Sequence, residues 1–276
     1  MNPEDYEFLA RLLKTRSGLI LGPEKGYLVE ARLTPIARAR GLDGVPALIR
    51  AMRARPDEAI VAAVVDAMTT NETFFFRDKN PFDALRDHVL PDLITRRRGR
   101  NALRVWCAAA STGQEPYSIA MILKAFGGRM PDWRIDLVGT DISPTALARA
   151  KAGLYSQFEV QRGLPVTEMV RWFDQTPEGW RIHADLRQMV SYRRLNLLED
   201  FSSLGTFDIV FCRNVLIYFD VDTKRGILDR MARSLTPDGY LFLGASETVM
   251  GITDRLRPAE GLRGVYAPVA ATTAAR

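Results

Sequence analysis

The sequence predicts an α/β chain: a mostly parallel, doubly wound sheet carrying a small inserted β hairpin, preceded by a small all-α domain. Three observations predict it. The first ~80 residues show helical periodicity and no strand signal. From Leu103 onward, short apolar runs alternate with helical segments at the spacing of strand–helix–strand units. One stretch, Gly179 to Leu186, breaks that alternation and reads as a hairpin set into the sheet domain. The expected organisation is a helical domain over 1–78, a helix and basic linker over 79–102, and the sheet domain over 103–276 with its inserted β subdomain around 175–192.

The elements follow in order. Phe8, Leu9, Leu12 and Leu13 share one helical face, and Ser17-Gly18 stops that helix. A second helix runs from Pro23 toward Gly41, with Pro35 inside it predicting a kink or a break. Asp57 caps a third, apolar helix from Ile60 to Met68. Arg96 to Arg100 reads as an exposed basic connector. Leu103 to Ala109 is the first buried strand, and a small-residue loop leads from it into a helix through Tyr117 to Leu123. Arg134 to Thr140 is a second strand and Pro144 to Ala152 a helix. Another strand covers Phe207 to Cys212, with a helix from about Asp222 to Leu235 after it. A Pro237-Asp-Gly turn precedes the strand from Tyr240, and a strand from Gly264 comes last, with a frayed tail from Ala270 to Arg276.

Composition narrows the class. Apolar residues are 47% and charged residues 26%, a globular balance with no run long enough to span a membrane. The acidic N-terminus lacks an apolar signal core. Two cysteines, Cys107 and Cys212, form no disulfide framework and no metal-ligand spacing, so a reducing cytoplasm and no metal are expected. Six arginines (Arg32, Arg38, Arg40, Arg50, Arg53, Arg55) against the single acid Asp43 give one segment the whole net charge of +5. Such a patch suits nucleic acid, an acidic membrane surface or an acidic protein face, or is simply a solvated helical surface.

The loops after the strands carry the chemistry, because ligands on parallel sheets bind beyond the carboxyl ends. Cys107 to Gly113 is small enough for the backbone to approach a ligand at a helix N-terminus, yet it lacks a GxGxxG pattern and a phosphate-loop lysine. Glu115 at that helix start disfavours a phosphate and favours a ligand with a positive group, such as the amino acid end or the sulfonium of S-adenosylmethionine; a helix-start glutamate favoured by the dipole is the plainer alternative. Asp141 occupies the position of a ribose-binding acid, or else caps the next helix together with Ser143. Asn196-Leu197 could read an adenine edge. Arg213-Asn214 ends a buried strand, where an arginine meets an anion, a carbonyl or a structural partner. The three phenylalanines of Thr73-Phe-Phe-Phe-Arg77 cannot share one helical face, so some should cover a partner or a ligand.

Together, Thr70-Asn-Glu-Thr-Phe-Phe-Phe-Arg77, Ala110-Ser-Thr-Gly-Gln-Glu-Pro-Tyr-Ser118, Gly139-Thr-Asp-Ile142 and Phe211-Cys-Arg-Asn-Val-Leu-Ile-Tyr-Phe219 resemble the chemotaxis receptor methyltransferases, the CheR family, over nearly the whole chain. The resemblance implies a Rossmann-like S-adenosylmethionine methyltransferase domain behind a helical receptor-docking domain. It implies methyl esterification of glutamates on the cytoplasmic coiled coil of methyl-accepting chemotaxis receptors, with S-adenosylhomocysteine as product, in a cytoplasmic enzyme recruited to membrane receptor arrays. It implies cofactor contacts from Asn71, Thr73, Arg77, Glu115, Asp141, Asn196, Leu197, Arg213 and Asn214. Arg77 and Tyr218 would lie near the transferred methyl, and Arg32, Arg38, Arg40, Arg50 and Arg53 would face the receptor. Gln114 and Ala110 depart from the family pattern, where many relatives carry a second acid and a cysteine.

Some relatives hold a C-terminal receptor pentapeptide through the inserted hairpin; the loop from Asp174 to Gly179 reads as short for that, so no tether requirement is expected. Two rivals remain. A nucleic-acid methyltransferase would carry an Asn/Asp-Pro-Pro-aromatic motif where this chain reads Arg213-Asn-Val-Leu. A sensor or adaptor that binds S-adenosylmethionine without transferring it would be expected to have lost Arg77, Glu115, Asp141 or Tyr218, all present.

Overall fold

Capping residues and buried faces set the N-terminal helices. The computed structural model describes residues 1–55 and 57–269; the tail expected to fray lies outside the described residues. α1 (Pro3–Ser17) begins where Asn2 accepts the Asp5 amide at 2.8 Å and ends at Gly18, left-handed at φ 77°. A 3₁₀ turn at Pro23–Lys25 precedes α2 (Gly26–Ala39). The break considered at Pro35 does not occur, and α2 runs through it. Val29, Leu33 and Ala37 are buried on one face across the proline, and Ala31, whose carbonyl loses its partner, is exposed to water. α3 (Gly44–Ala54), not separated in the sequence reading, buries Val45, Leu48, Ile49 and Met52. α4 (Glu58–Met68) is capped by Asp57, which accepts the Ala59 amide at 2.8 Å, and buries Val61, Val64, Val65 and Met68. These faces share one core, each large side chain contributing about 1.5–3 kcal/mol.

A single helical run then crosses toward the sheet: α5 (Asn80–Ala84), a π turn (Leu85–Val89) and α6 (Leu90–Arg96). The π turn falls just before Pro91, whose missing N–H leaves the regular ladder one donor short. The connector that follows is not wholly exposed. Arg97 is buried and donates to Asp238 at 2.6 and 3.0 Å and to Thr236 at 3.0 Å, and it pairs with buried Asp208.

The sheet domain begins with β1 (Ala102–Cys107), α7 (Gln114–Ala125), β2 (Arg134–Asp141) and α8 (Pro144–Ala152). Next come β3 (Leu154–Tyr155), α9 (Gln157–Gln161), α10 (Val166–Trp172), β4 (Phe173–Thr176), β5 (Gly179–Ile182), α11 (Ala184–Met189) and β6 (Val190–Arg194). The chain continues through β7 (Phe207–Cys212), α12 (Val221–Ser234), β8 (Leu235–Leu243), β9 (Leu256–Pro258) and β10 (Val265–Pro268). Seven strands form one sheet in the order β6-β2-β1-β7-β8-β10-β9, parallel except at β10, which pairs antiparallel with both β8 and β9. Alternation along β1 sends Leu103, Val105 and Cys107 to the core under α7, and Trp106 to the core under α12.

The inserted hairpin is richer than expected. β4 and β5 turn through two residues, and β3 adds a third antiparallel strand, while Val190–Arg194 belongs to the main sheet. Pro237-Asp-Gly is no turn between elements; it lies within β8, where the pairing jumps from Phe207–Leu235 to Ile209–Tyr240.

Candidate active site

β1 pairs with β2 on one side and β7 on the other, so the loops leaving β1 and β7 diverge there and open a crevice. Its walls are the loops after β1, β2 and β7, and the helical domain roofs it. Asn71, Thr73, Arg77, Glu115, Asp141, Arg213, Asn214 and Tyr218 all line this one cleft. The roof is fastened by the Ile20 amide on the Tyr218 carbonyl at 3.0 Å, and by Asp66 of α4 accepting from Ser143 and, at 2.5 Å, from Thr145.

Arg213 is the hub. Its side chain is 1% exposed and donates to Glu115 at 2.8 Å, to Asp78 at 2.8 Å and to the Arg77 carbonyl at 2.9 Å. Burial pushes the Glu115 carboxyl above the usual range, and the Arg213 guanidinium pulls against that rise. Asp141 is likewise pushed up by burial, opposed by the amides of Ser143 at 2.9 Å and Ser111 at 2.8 Å. Both readings of Asp141 thus coexist, since it shapes two loops and also lines the cleft. Ser111 further donates to the Asn71 carbonyl at 2.8 Å. Gly113, at φ 98°, has no room for a side chain: a Cβ would stand 3.0 Å from the Tyr155 and Tyr192 hydroxyls. Ser111 and Asn214, which line the cleft, and Asp78, which accepts from Arg213, hold positive φ, at about 1 kcal/mol or more each. Such strain clusters where function demands a fixed geometry.

Arg77 donates to the Glu72 carbonyl at 2.7 Å and lies over the Phe74 ring. The three phenylalanines need no ligand to cover. Their segment is a turn rather than a helix: Phe75 packs into the core against Tyr155 and Phe173, Phe76 meets Phe82, and Phe74 lies under Arg77 and Arg162.

Asn196 and Leu197 do not line the cleft. Asn196 donates to the Arg16 carbonyl at 2.8 Å in a neighbouring depression that shares Ile142 with the cleft. Leu197 is buried, and its carbonyl accepts from Arg230 at 2.6 Å. The arginine patch is also divided. Arg32 donates to the Met68 and Thr69 carbonyls, both at 2.9 Å, capping α4, and Arg53 pairs with buried Asp5 at 3.1 Å. Arg38, Arg40, Arg50 and Arg55 are exposed, with no ion pair among the described residues. Cys107 and Cys212 are fully buried, which pushes both thiols well up and leaves them unreactive.

Three residues bonded to this network escaped the sequence reading: Asp78 on Arg213, Ser111 on Asn71 and Asp141, and Glu247, which accepts the Asn214 amide at 2.8 Å. Asp78 adjoins Arg77 and Ser111 lies in the small-residue loop, so adjacency could have marked both. Glu247 follows β8, and the rule that loops at carboxyl ends of parallel strands carry function would have pointed there.

With this geometry in view, comparison with known proteins decides the family. The model described as "CheR methyltransferase, SAM binding domain" matches residues 71–265, and "CheR methyltransferase, all-alpha domain" matches residues 4–69. The chain belongs to the CheR methyltransferase family. CheR relatives include "Chemotaxis protein methyltransferase Cher2" of Pseudomonas putida, 41% identical, covering 95% of this chain and 96% of the relative. "Chemotaxis protein methyltransferase 1" of Pseudomonas aeruginosa is also 41% identical, over 95% and 96%. Its namesake from Vibrio cholerae is 39% identical, over 92% and 93%. Membership makes the sheet domain an S-adenosylmethionine-binding methyltransferase domain, and the helical domain is the family's all-α domain.

Proposed function

We propose that this chain esterifies glutamate side chains on the cytoplasmic helical region of a methyl-accepting chemotaxis receptor, serving sensory adaptation from the cytoplasm. The observation that carries the reading is the convergence of four separate sequence segments on one cleft with two buried carboxylates, Glu115 and Asp141, beside Arg77 and Arg213. Glu115 and Asp141 suit a ligand with cationic groups and a ribose, and the loop's lack of a phosphate-loop lysine suits one without phosphates. Asn71, Thr73, Arg213 and Asn214 would complete its contacts, and the adenine end would extend past Ile142 toward Asn196 and Leu197.

The bound cofactor supplies a methyl group on a positively charged sulfur. Held beside Glu115 and Asp141, it would give its methyl carbon to a glutamate oxygen, its carbon–sulfur bond breaking with the electron pair left on sulfur. No proton moves, because a glutamate of pKa ~4.3 is already ionised near neutrality. The chain's task is alignment and exclusion of water. Arg77 holds the incoming carboxylate without a bidentate grip, which would quiet the nucleophile. Tyr218 positions carboxylate and cofactor. His88 and His183 do not line the cleft, and no general base is required.

Arg38, Arg40 and Arg50 would meet the acidic receptor coiled coil, whereas Arg32 and Arg53 support the helical domain from within. The two-residue turn between β4 and β5 leaves little surface for a receptor tether, so none should be required. Tight calorimetric binding of a receptor C-terminal pentapeptide would contradict that. The main test is tandem mass spectrometry of a receptor cytoplasmic fragment after incubation with enzyme and S-adenosylmethionine. Methyl groups on glutamates are expected; methylation confined to lysine or arginine would overturn the assignment.

A further inference from the structure

We propose that Glu247 is a positioning residue for methyl transfer, fastening the loop that presents Arg213, Asn214 and Tyr218 to the cleft. Its carboxylate is half-buried beyond the carboxyl end of β8, the parallel neighbour of β7. It accepts five backbone amides. Oε2 takes those of Asn214 at 2.8 Å and Gly244 at 2.7 Å. Oε1 takes those of Val215 at 2.9 Å, Leu216 at 2.7 Å and Ile217 at 3.3 Å. The last three stand at the head of the 3₁₀ turn Leu216–Tyr218, where N–H groups lack partners inside the turn. Charge-assisted bonds from consecutive amides therefore fix the path of the loop, including the left-handed Asn214 at φ 57°.

A second observation shows how closely this arrangement is fitted. A Cβ on Gly244 would lie 2.7 Å from the Glu247 carboxylate and 2.9 Å from both the backbone and side-chain nitrogens of Asn214. Residue 244 must lack a side chain for carboxylate, loop and Asn214 to meet. Glu247 does not itself line the cleft, so it acts through the loop.

The inference rests on the reading above in one respect, the placing of Asn214 and Tyr218 against the cofactor. The test is calorimetric binding of S-adenosylhomocysteine, which needs no methyl acceptor; its outcome is separate from whether that acceptor is a glutamate. Glu247→Gln keeps the shape but turns an NH₂ group on some of the amides, and should weaken binding about tenfold or more. Gly244→Ala, which keeps the carboxylate, should give the same defect. In a double-mutant cycle, Glu247→Gln combined with Asn214→Ala should lose less affinity than the product of the two single losses, because part of the Glu247 effect reaches the cleft through Asn214. A purely structural role would make the two losses multiply, and that result overturns the proposal. So does Glu247→Gln or Asn214→Ala binding within about twofold of the unaltered enzyme. If Glu247→Gln does not fold, Gly244→Ala decides by the same affinity criterion.

Discussion

In the proposed reading, Glu115 and Arg77 divide the work of the cleft between cofactor and acceptor. Burial raises the Glu115 pKa, so its charge is lost at a higher pH than for an ordinary glutamate. A cationic ligand favours the ionised form and lowers that pKa, so S-adenosylmethionine affinity should rise with pH through the window between the bound and free values. Glu115→Gln should flatten that slope and weaken binding by about tenfold to hundredfold, measured by calorimetry across acidic to neutral pH. Stability runs the other way. A carboxyl raised in the folded state makes the cofactor-free protein less stable as pH climbs from the unfolded value through the folded one, and Glu115→Gln removes that decline. Arg77→Lys keeps the charge but not the planar fork; turnover should fall by about tenfold to a hundredfold while S-adenosylhomocysteine binding holds. Unchanged turnover would refute the role given to Arg77. Eight of the ten residues named from sequence for cofactor or catalysis share the cleft. Strand-end motifs marked Glu115, Asp141, Arg213 and Asn214 locally, whereas Asn71, Thr73, Arg77 and Tyr218 came only with the family resemblance. Asp78 and Glu247 act through pairings made only when distant segments fold together, and no local pattern announces those.

At the scale of elements, α2 has two faces with different duties. Its inward face builds the helical core, and Arg32 reaches from it to the end of α4 where the cleft-lining segment starts. Its outward C-terminal end presents Arg38 and Arg40 to solvent. Reversing both charges (Arg38→Glu with Arg40→Glu) should weaken receptor methylation several-fold at low ionic strength, with the gap closing as salt is added; the principle is screening over ~10 Å at 0.1 M. S-adenosylhomocysteine binding should be unchanged, and a salt-independent defect would contradict a docking role. The helices α1, α2, α4, α7, α8 and α12 and the parallel strands were legible because caps, periodicity and turn residues act over a few positions, whereas α3 and the short helices α9 to α11 were not separated. The unbroken passage through Pro35 was not, since burial of Val29, Leu33 and Ala37 across the proline is a tertiary effect. Nor was β3, a two-residue strand that gains its identity only from pairing with β5.

Across the whole molecule, the helical run from α5 to α6 ends in Arg97, which is clamped by Asp208 and Asp238 at the end of the sheet opposite the cleft. Composition marked this segment as an exposed basic linker, because a buried arginine is legible only once its two aspartates are in place. Arg97→Met leaves two carboxylates without their partner and should cost about 3–5 kcal/mol, lowering Tm by roughly 10 °C or more in thermal melts. A loss below about 1 kcal/mol would show the clamp to be dispensable. The central claim, that this architecture aligns a receptor carboxylate with the cofactor's methyl group, is tested most directly by the chemical nature of the product. Receptor-containing membranes incubated with the enzyme and methyl-labelled S-adenosylmethionine should take up label that mild base then releases as methanol, the signature of a carboxyl ester. Label that survives base on protein, or that appears instead on nucleic acid in a parallel reaction, would contradict the account.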